Sequence, residues 1–478
     1  MTQTPTVKGL VELLKPNNLF KSCSQDLLQF EISGAYCDSR RYKPGGIFFC
    51  KGVDFRQEYL EDVVDKGCKV YIHEGGIGGG IEVTDIRKAM AKASKFAWGE
   101  PDKYLKIVGI TGSKGKTTVA CMVKQVIEQS GYKCGYIGTH HVSDGRHNYT
   151  TQNTTPESPE LYEYLNSMRI NDCDFCVMEV SSQALKYDRI GDMQIDIACI
   201  TNVGIDHISD VEHPTVEDYV KSKFEIAHHA EKLVASRKPA LVDDVQPYID
   251  GCFANCTMEP IIYDAKGLEI ELSLPGEFNK KNGLAAHKIC KLLGFDDDGI
   301  REILKNASVP GRMEVNESKD GRLIGIVDYA HTKESYELFF KSVNEKYLDS
   351  FKIAYFGASG GKAVARQIDL PKTISRFADF VIVTSDDPGS EDPAQLCERV
   401  ASNLEMDNST FLVEPNRDAA CIRAFEIAGQ ALKAHDRVIV CALGKGDEDV
   451  CVAKPKDIPI IPDTVHVKQK IEEYNDSL

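Results

Sequence analysis

KIVGITGSKGKTT, residues 106–118, is the stretch on which the reading of this chain turns. Its apolar run, Ile107-Val108-Gly109-Ile110, has the composition of a buried parallel strand. A glycine-rich turn and Lys116-Thr117-Thr118 follow, and residues 119–129 continue with helical spacing. Strand, glycine loop and helix start make a phosphate cradle. Gly112 and Gly115 let backbone N–H groups approach an anion, and the helix N-terminus adds its positive dipole end. In such a loop Lys116 reaches the β/γ-phosphates and the Thr117 hydroxyl holds Mg2+. The spacing departs from the strict Walker pattern: Ile110 stands where the first glycine belongs, and Gly109 comes one residue early. The plain alternative is a βα turn that binds nothing. The Gly-Lys-Thr-Thr ending in a strand–loop–helix context speaks against it.

The 478 residues suggest about three domains at ~150 residues each. A hydrophobic content of 42% can supply several cores. No apolar run approaches the ~20 residues of a membrane span. The N-terminal segment has no signal-peptide core and reads as a short amphipathic helix, so a cytoplasmic protein is expected. The sixteen cysteines are scattered, many within apolar segments. Cys173-x-x-Cys176 is the one C-x-x-C and has no second pair at zinc-ribbon distance, so buried reduced thiols are expected. A net charge of −16 disfavours nucleic acid as a partner. An anionic nucleotide must then be drawn by a local positive site.

Three blocks follow, with boundaries at 1–103, 104–309 and 310–478. The first reads as a small α/β domain with short strands at 36–40, 46–50 and 69–72 and helices at 55–66 and 85–98. The second alternates strands at 106–110, 174–179, 196–201 and 239–242 with helices, which implies a mainly parallel sheet. Residues 268–274 alternate like a strand outside that series. The third block has apolar runs at 323–327, 352–356, 380–384 and 437–442. Each is followed by a polar, glycine-bearing or acidic loop: Asp328-Tyr-Ala-His331, Gly357-Ala-Ser-Gly-Gly361, Ser385-Asp386-Asp387-Pro388-Gly389 and Gly444-Lys-Gly446-Asp-Glu448. Ligands of open α/β sheets bind beyond the carboxyl ends of the strands, so four such loops predict one rim. Gly357-x-x-Gly360 is an incomplete dinucleotide signature.

Glu179 closes the apolar run Val177-Met178, and a buried strand rarely carries Glu without a partner. Beside a phosphate loop that partner is Mg2+, held by one or two carboxylates and phosphate oxygens. The pair Asp206-His207 follows the next strand at the same sheet edge and is a candidate metal or phosphate ligand. Lys221 and Lys223 read, on composition alone, as a solvated helix face.

Together these motifs resemble the Mur ligases, ATP-dependent enzymes that add amino acids to peptidoglycan precursors. The match runs the length of the chain. Residues 109–118 resemble the family's ATP loop, shifted glycine included. Thr154-Thr155-Pro156-Glu157, Met178-Glu-Val-Ser-Ser-Gln-Ala-Leu185, Pro310-Gly-Arg-Met-Glu314 and Val327-Asp-Tyr-Ala-His331 resemble the branch that adds the third peptide residue. The resemblance implies three α/β domains: a uridine-nucleotide domain, a central P-loop ATPase domain and a Rossmann-like C-terminal domain. It makes Gly112, Ser113, Lys114, Gly115, Lys116, Thr117 and Thr118 the ATP loop, with Asn279 and Asn282 on the adenine side and Arg312 and Asp328 closing on ATP from the third domain. Ser39 would contact the uridine nucleotide, and Thr154, Thr155, Ser181 and Arg189 the muramoyl-dipeptide. Thr117 and Glu179 would hold one Mg2+. His207 and Lys223 match the second-metal pair, with Lys223 carbamylated, which overturns its bland reading. Lys116, His207, Lys223 and Arg312 are the catalytic set.

The implied reaction is amide ligation through an acyl phosphate, with third-domain closure over the second expected. The implied substrates are UDP-N-acetylmuramoyl-L-alanyl-D-glutamate and an amino acid, with no membrane insertion and a monomer expected. The amino acid would be bound by Asp386, Asp387, Pro388, Gly389, Gly444 and Glu448. Diaminopimelate-adding relatives carry Asp-Asn-Pro-Arg, whose arginine pairs the second carboxylate. Here Gly389 replaces that arginine and Asp387 the asparagine, so the charge favours L-lysine, with L-ornithine next. Two departures stand out: Asp447 replaces the histidine of the family's Gly-Lys-Gly-His-Glu, and the basic run after the third-domain glycines is altered to Gly360-Gly-Lys362-Ala-Val-Ala-Arg366. A folylpolyglutamate synthase-like ligase, a P-loop kinase and a non-catalytic scaffold are the alternatives.

Overall fold

The computed structural model describes residues 4–478 apart from 53–54, 140, 152, 206–207, 210–211, 265–267 and 362–363. Among the described residues three sheets organise three α/β domains. In the first, strands β1 (Phe20–Cys23), β2 (Ala35–Tyr36), β3 (Ile47–Phe49), β4 (Val70–His73) and β5 (Ile81–Val83) lie in the order β1-β5-β4-β3-β2. β1 is antiparallel to its neighbour and the rest are parallel. Helices α1 (Val7–Leu14), α2 (Gln57–Asp65) and α3 (Ile86–Ala97) accompany them. Val7, Leu10, Val11 and Leu14 of α1 recur at helical spacing and are buried on one face. The strand expected through 36–40 ends at Tyr36. The Asp38 carboxylate accepts the Arg40 N–H at 2.9 Å and starts a 3-10 turn, Ser39–Arg41.

The second sheet contains β6 (Lys106–Thr111), β7 (Cys134–Ile137), β8 (Val142–Ser143), β9 (Asn148–Tyr149), β10 (Phe175–Glu179), β11 (Ile195–Ile200), β12 (Ala230–Ala235) and β13 (Ile261–Ile262). Their order is β13-β12-β11-β6-β10-β7-β8-β9, parallel from β13 to β7. Strand β6, paired on both edges, is central, which is why its run is apolar on both faces. Helices α4 (Lys116–Gln129), α5 (Ser158–Ile170), α6 (Ser182–Lys186) and α7 (Val216–Phe224) belong to this domain.

Two expectations fail here. Residues 239–242 are not a strand; the strand is β12, and Ala240 makes only an isolated bridge to Val203. Pro239 cannot donate to a ladder, and the exposed first half of β12 hid its signal. Residues 268–274 bury Ile270 and Leu274 but form no strand: among the described residues no strand pairs with them, and Ser273 N donates instead to Lys305 O at a helix end.

The third sheet has β14 (Glu314–Glu317), β15 (Leu323–Asp328), β16 (Phe351–Phe356), β17 (Phe380–Val383), β18 (Phe411–Val413) and β19 (Val438–Leu443) in the order β14-β15-β19-β16-β17-β18. All pairs but β14·β15 are parallel, so the loops after β15, β19, β16 and β17 leave one edge side by side.

The chain forms two compact units, residues 1–270 with 282–304 and residues 271–281 with 305–478. Within the first unit, ion pairs join the first domain to the second: Lys51 to Glu157 at 2.5 Å, and Arg41 to Glu160 at 2.6 Å and Glu163 at 2.7 Å. Among the described residues no helix is long and apolar enough to cross a membrane.

Candidate active site

The loop after β6 is held in shape by the end of β11. Asn202 O accepts the Ser113 N–H at 2.9 Å, and Asn202 Oδ1 accepts the Lys114 N–H at 2.9 Å. Thr201 Oγ1 donates to the Lys114 carbonyl at 2.7 Å. Gly112 has φ +150°, and a Cβ there would lie 1.9 Å from Thr201 Oγ1. Gly115 has φ +84°, and its Cβ would lie 2.4 Å from Asn282 Oδ1. Both positions therefore require glycine, by space as well as by backbone angle. Ile110 is still strand, fully buried and in register with Cys199 and Glu179, which explains the displaced first glycine. Thr117 and Thr118 are buried in the first turn of α4.

Lys116 Nζ and Lys223 Nζ both donate to the Gly112 carbonyl at 3.0 Å. Lys223 is only 2% exposed, and its ammonium lies 4.4 Å from the centre of the Tyr219 ring. The solvated face read from composition is thus overturned for Lys223 by burial as well as by resemblance, while Lys221 is exposed as expected. Lys116 supplies a positive charge at this loop, as a chain of net charge −16 needs for an anionic nucleotide.

Glu179 is fully buried and accepts four hydrogen bonds: from Thr117 Oγ1 at 3.0 Å, Tyr136 OH at 2.8 Å, Thr139 N at 3.1 Å and Thr139 Oγ1 at 3.2 Å. Its partners at the strand end are neutral donors, and the Thr117 hydroxyl and Glu179 carboxylate are hard oxygens that suit Mg2+. His207 lies outside the described residues, as does its neighbour Asp206.

Thr155 sits against this group. Its hydroxyl donates to the Glu179 carbonyl at 2.9 Å and accepts the Ser181 N–H at 3.0 Å. Thr154 Oγ1 lies 3.2 Å from Thr139 Oγ1, and Ser181 caps α6 by accepting the Ala184 N–H at 3.1 Å. Arg189 donates to the Thr155 carbonyl at 3.0 Å, with its Nε 3.0 Å from Glu157. Burial alone would raise the Glu157 carboxyl, but Arg189 and Lys51 hold it below its ordinary range. Ser39 opens the 3-10 turn of the first domain, where its carbonyl accepts Lys66 Nζ at 2.9 Å.

In the second unit the four loops after the parallel strands meet as expected. Asp328 accepts the N–H groups of Met313 at 2.7 Å and Ala330 at 2.8 Å, and burial raises its carboxyl against the pull of Arg312. The Arg312 guanidinium lies 4.3 Å from the Tyr329 ring centre, and Tyr329 OH donates to Glu448 at 2.8 Å. Gly444 N donates to the Asp328 carbonyl at 3.0 Å, and Gly389 N to Val452 O at 3.0 Å. Gly360 N donates to the Asp387 carbonyl at 2.8 Å, across Pro388. Asn279 donates to Pro275 O at 2.8 Å in this unit, whereas Asn282, on the same helix, packs on Gly115 in the first. Lys362 lies outside the described residues.

Two residues missed by the sequence reading organise this edge. Lys445, 1% exposed, puts its ammonium 2.9 Å from Asp387 and 3.9 Å from Asp386, in contact also with Glu448. Its three carboxylates hold the ammonium protonated, while burial pushes the Asp386 carboxyl up to about 6. The acidic loop is therefore not bare: among the described residues Lys445 meets all three carboxylates, and Arg417 adds its pull on Asp386. Arg417, buried beside Asp463 at 2.6 Å, also donates to the carbonyls of Ser385 at 3.1 Å and Leu443 at 3.0 Å, tying the ends of β17 and β19. A charged residue just past an apolar strand, the sign that marked Glu179, marks Lys445 as well.

The sequence pattern of the Mur ligase middle domain matches residues 110–244, and that of the "Mur ligase, glutamate ligase domain" matches residues 311–444. The chain belongs to the Mur ligase family. It is an ATP-dependent acid–amino-acid ligase of that family. Curated relatives extend the match over almost the whole length. The UDP-N-acetylmuramoyl-L-alanyl-D-glutamate–L-lysine ligase of Enterococcus faecalis is 33% identical, over 91% of each chain. The corresponding 2,6-diaminopimelate ligase of Clostridium botulinum is also 33% identical, over 90% of this chain and 93% of its own. Among solved structures, a 2,6-diaminopimelate-adding ligase of this kind aligns over 99% of both chains with a TM-score of 0.64 at 22% identity. A folylpolyglutamate synthase from Mycobacterium tuberculosis aligns over 80% of this chain and 94% of its own, with a TM-score of 0.61 at 16% identity. These last two likenesses concern the fold.

Proposed function

We propose that this Mur ligase adds L-lysine to UDP-N-acetylmuramoyl-L-alanyl-D-glutamate during peptidoglycan precursor synthesis. The observation that carries the choice of amino acid is the acidic cluster of Asp386, Asp387 and Glu448 around Lys445, with Gly389 where an arginine would bind a carboxylate. Three carboxylates against one ammonium leave an excess of negative charge, which attracts a side-chain ammonium and repels a side-chain carboxylate. Overall identity does not discriminate, because lysine-adding and diaminopimelate-adding relatives are equally similar. L-Ornithine, one methylene shorter, is the nearest competitor, since a methylene is worth only about 1–3 kcal/mol.

In the proposed reaction a carboxylate oxygen of the dipeptide attacks the γ-phosphorus of ATP, and ADP leaves. The amine of the amino acid then attacks the acyl carbon, loses a proton, and phosphate departs. Lys116 and the N–H groups of residues 112–118 stabilise the transferring phosphoryl group. Thr117 and Glu179 would hold Mg2+, which supplies charge neutralisation on the phosphate oxygens. Thr154, Thr155, Ser181 and Arg189 orient the acceptor dipeptide, and Ser39 contacts its uridine nucleotide. Asn279, Asn282, Arg312 and Asp328 bind the nucleotide. Lys223, buried at the phosphate loop beside Lys116, is the lysine proposed to be carbamylated, and His207 would complete that pair.

Phosphate release from ATP with UDP-muramoyl-dipeptide and a panel of amino acids tests this reading. Release that depends on L-lysine is expected. Release without any amino acid would indicate a kinase or ATPase, and a preference for meso-diaminopimelate would refute the lysine assignment.

A further inference from the structure

Ser182, His213 and Asp218 form a row with the spacing of a hydrolytic triad. Ser182 Oγ lies 2.9 Å from His213 Nε2, and His213 Nδ1 lies 2.7 Å from Asp218 Oδ2. His213 is fully buried and Ser182 4% exposed, so the hydroxyl is not offered to a substrate carbonyl. A carboxylate only accepts, so Nδ1–H donates to Asp218 and, in the neutral ring, Nε2 accepts the Ser182 hydroxyl. Burial lowers the pKa of His213, consistent with that neutral ring.

The row joins the two sides of the reaction. On one side, Ser182 begins α6, directly after Ser181, whose N–H is bound by Thr155. Three more bonds hold the same short helix: Gln183 donates to the Glu212 carboxylate at 2.8 Å, and Lys186 to the Glu212 carbonyl at 2.9 Å and to Asp218 at 2.7 Å. On the other side, Asp218 lies in the first turn of α7. The next residue, Tyr219, packs edge-on against the His213 ring at 5.1 Å, and its hydroxyl lies 2.9 Å from Ser113 Oγ in the phosphate loop. One turn later Lys223 reaches the Gly112 carbonyl.

We propose that His213 is a positioning residue of the ligation. Its imidazole locks the acceptor-side turn at Ser181 to the helix that supports the phosphate loop, and so sets the approach of the dipeptide carboxylate to the γ-phosphate. The inference rests on the ligase reading above. An error of about 1 Å in such an approach costs on the order of 100-fold in rate.

The test uses the full-length protein and three variants: Ser182→Ala, His213→Gln and Asp218→Asn. Initial rates of ligation are measured with ATP, UDP-muramoyl-dipeptide and L-lysine, alongside the folded fraction by circular dichroism. Each variant is expected to lower kcat per folded molecule by about 10-fold or more, with KM for ATP and for L-lysine changed less than about threefold. Ser182→Ala combined with His213→Gln is expected to fall little further than His213→Gln alone, because one chain of bonds is broken in both. A kcat per folded molecule that stays near wild type in Ser182→Ala and Asp218→Asn would overturn the proposal. So would losses that multiply in the double variant. A wild-type protein that releases no phosphate with L-lysine overturns the lysine assignment, and one that releases none with any amino acid of the panel overturns the ligase reading itself; neither outcome needs a variant.

Discussion

Replacing Asp387 by Asn should weaken the preference for L-lysine over meso-diaminopimelate. Asn keeps the size of the side chain, and its Oδ1 can still accept from Lys445 Nζ and from Val452 N, the bonds seen at 2.9 Å and 2.8 Å. What is lost is one of three negative charges around a single ammonium. A substrate ammonium about 4 Å from that carboxylate gains about 4 kcal/mol at an effective dielectric constant near 20. The Asp387 side chain is 35% exposed, however, so water and salt screen the interaction. A discount to about 1–2 kcal/mol is appropriate, or roughly 5–30-fold. The ratio of kcat/KM for L-lysine to that for meso-diaminopimelate, measured at low and at physiological salt, should therefore fall about 5–30-fold in Asp387→Asn. The fall should be larger at low salt. An unchanged ratio in a folded variant would refute the charge argument, because it would mean that the acidic cluster does not face the substrate's side chain.

Lys116→Ala should lose about 100-fold or more in turnover without loss of fold, and retention of over about a tenth of the activity would count against its phosphate role. Lys223→Ala should be nearly inactive and partly rescued by short-chain carboxylic acids; wild-type protein stripped of carbon dioxide should regain activity with bicarbonate, and indifference to bicarbonate would argue against a carbamate. Because burial raises the Asp386 carboxyl to about 6, that group is anionic above this pH and takes up a proton below it. KM for L-lysine should thus rise as pH falls through about 6, and Asp386→Asn should abolish that dependence; a wild-type KM flat from pH 7.5 to about 5 would contradict it.

Much of the fold was legible because its determinants are local. A central parallel strand is apolar on both faces, so β6 announces itself, and the positive φ angles at Gly112 and Gly115 belong to the loop beside the phosphate lysine, although the side chains that crowd them, Thr201 and Asn282, come from far along the chain. The loops after β15, β16, β17 and β19 were readable as one rim because parallel strands bring their carboxyl ends to the same edge. The misreadings came where a segment's pattern depends on its neighbours. Residues 239–242 were read as the strand in place of β12 because the exposed first half of β12 breaks its apolar pattern, and that pattern does not say which stretch the sheet has room to pair. Glu179 was singled out correctly as a buried strand-end carboxylate, but its partners Tyr136 and Thr139 were invisible, since neither carries a charge or a motif.

The sequence by itself determined the class of protein: a phosphate loop on a parallel sheet, three α/β domains, and a family of ligases. Only the tertiary structure decided the electrostatics of the amino-acid loop and the link across the reaction. Lys445 lies 58 residues from Asp387, and His213 lies 31 residues from Ser182. Coulomb and hydrogen-bond energies depend on distance in space, and residues so far apart along the chain come within 3 Å only after the sheets have formed. A loop that reads as two bare carboxylates is thereby folded into three carboxylates around a buried ammonium.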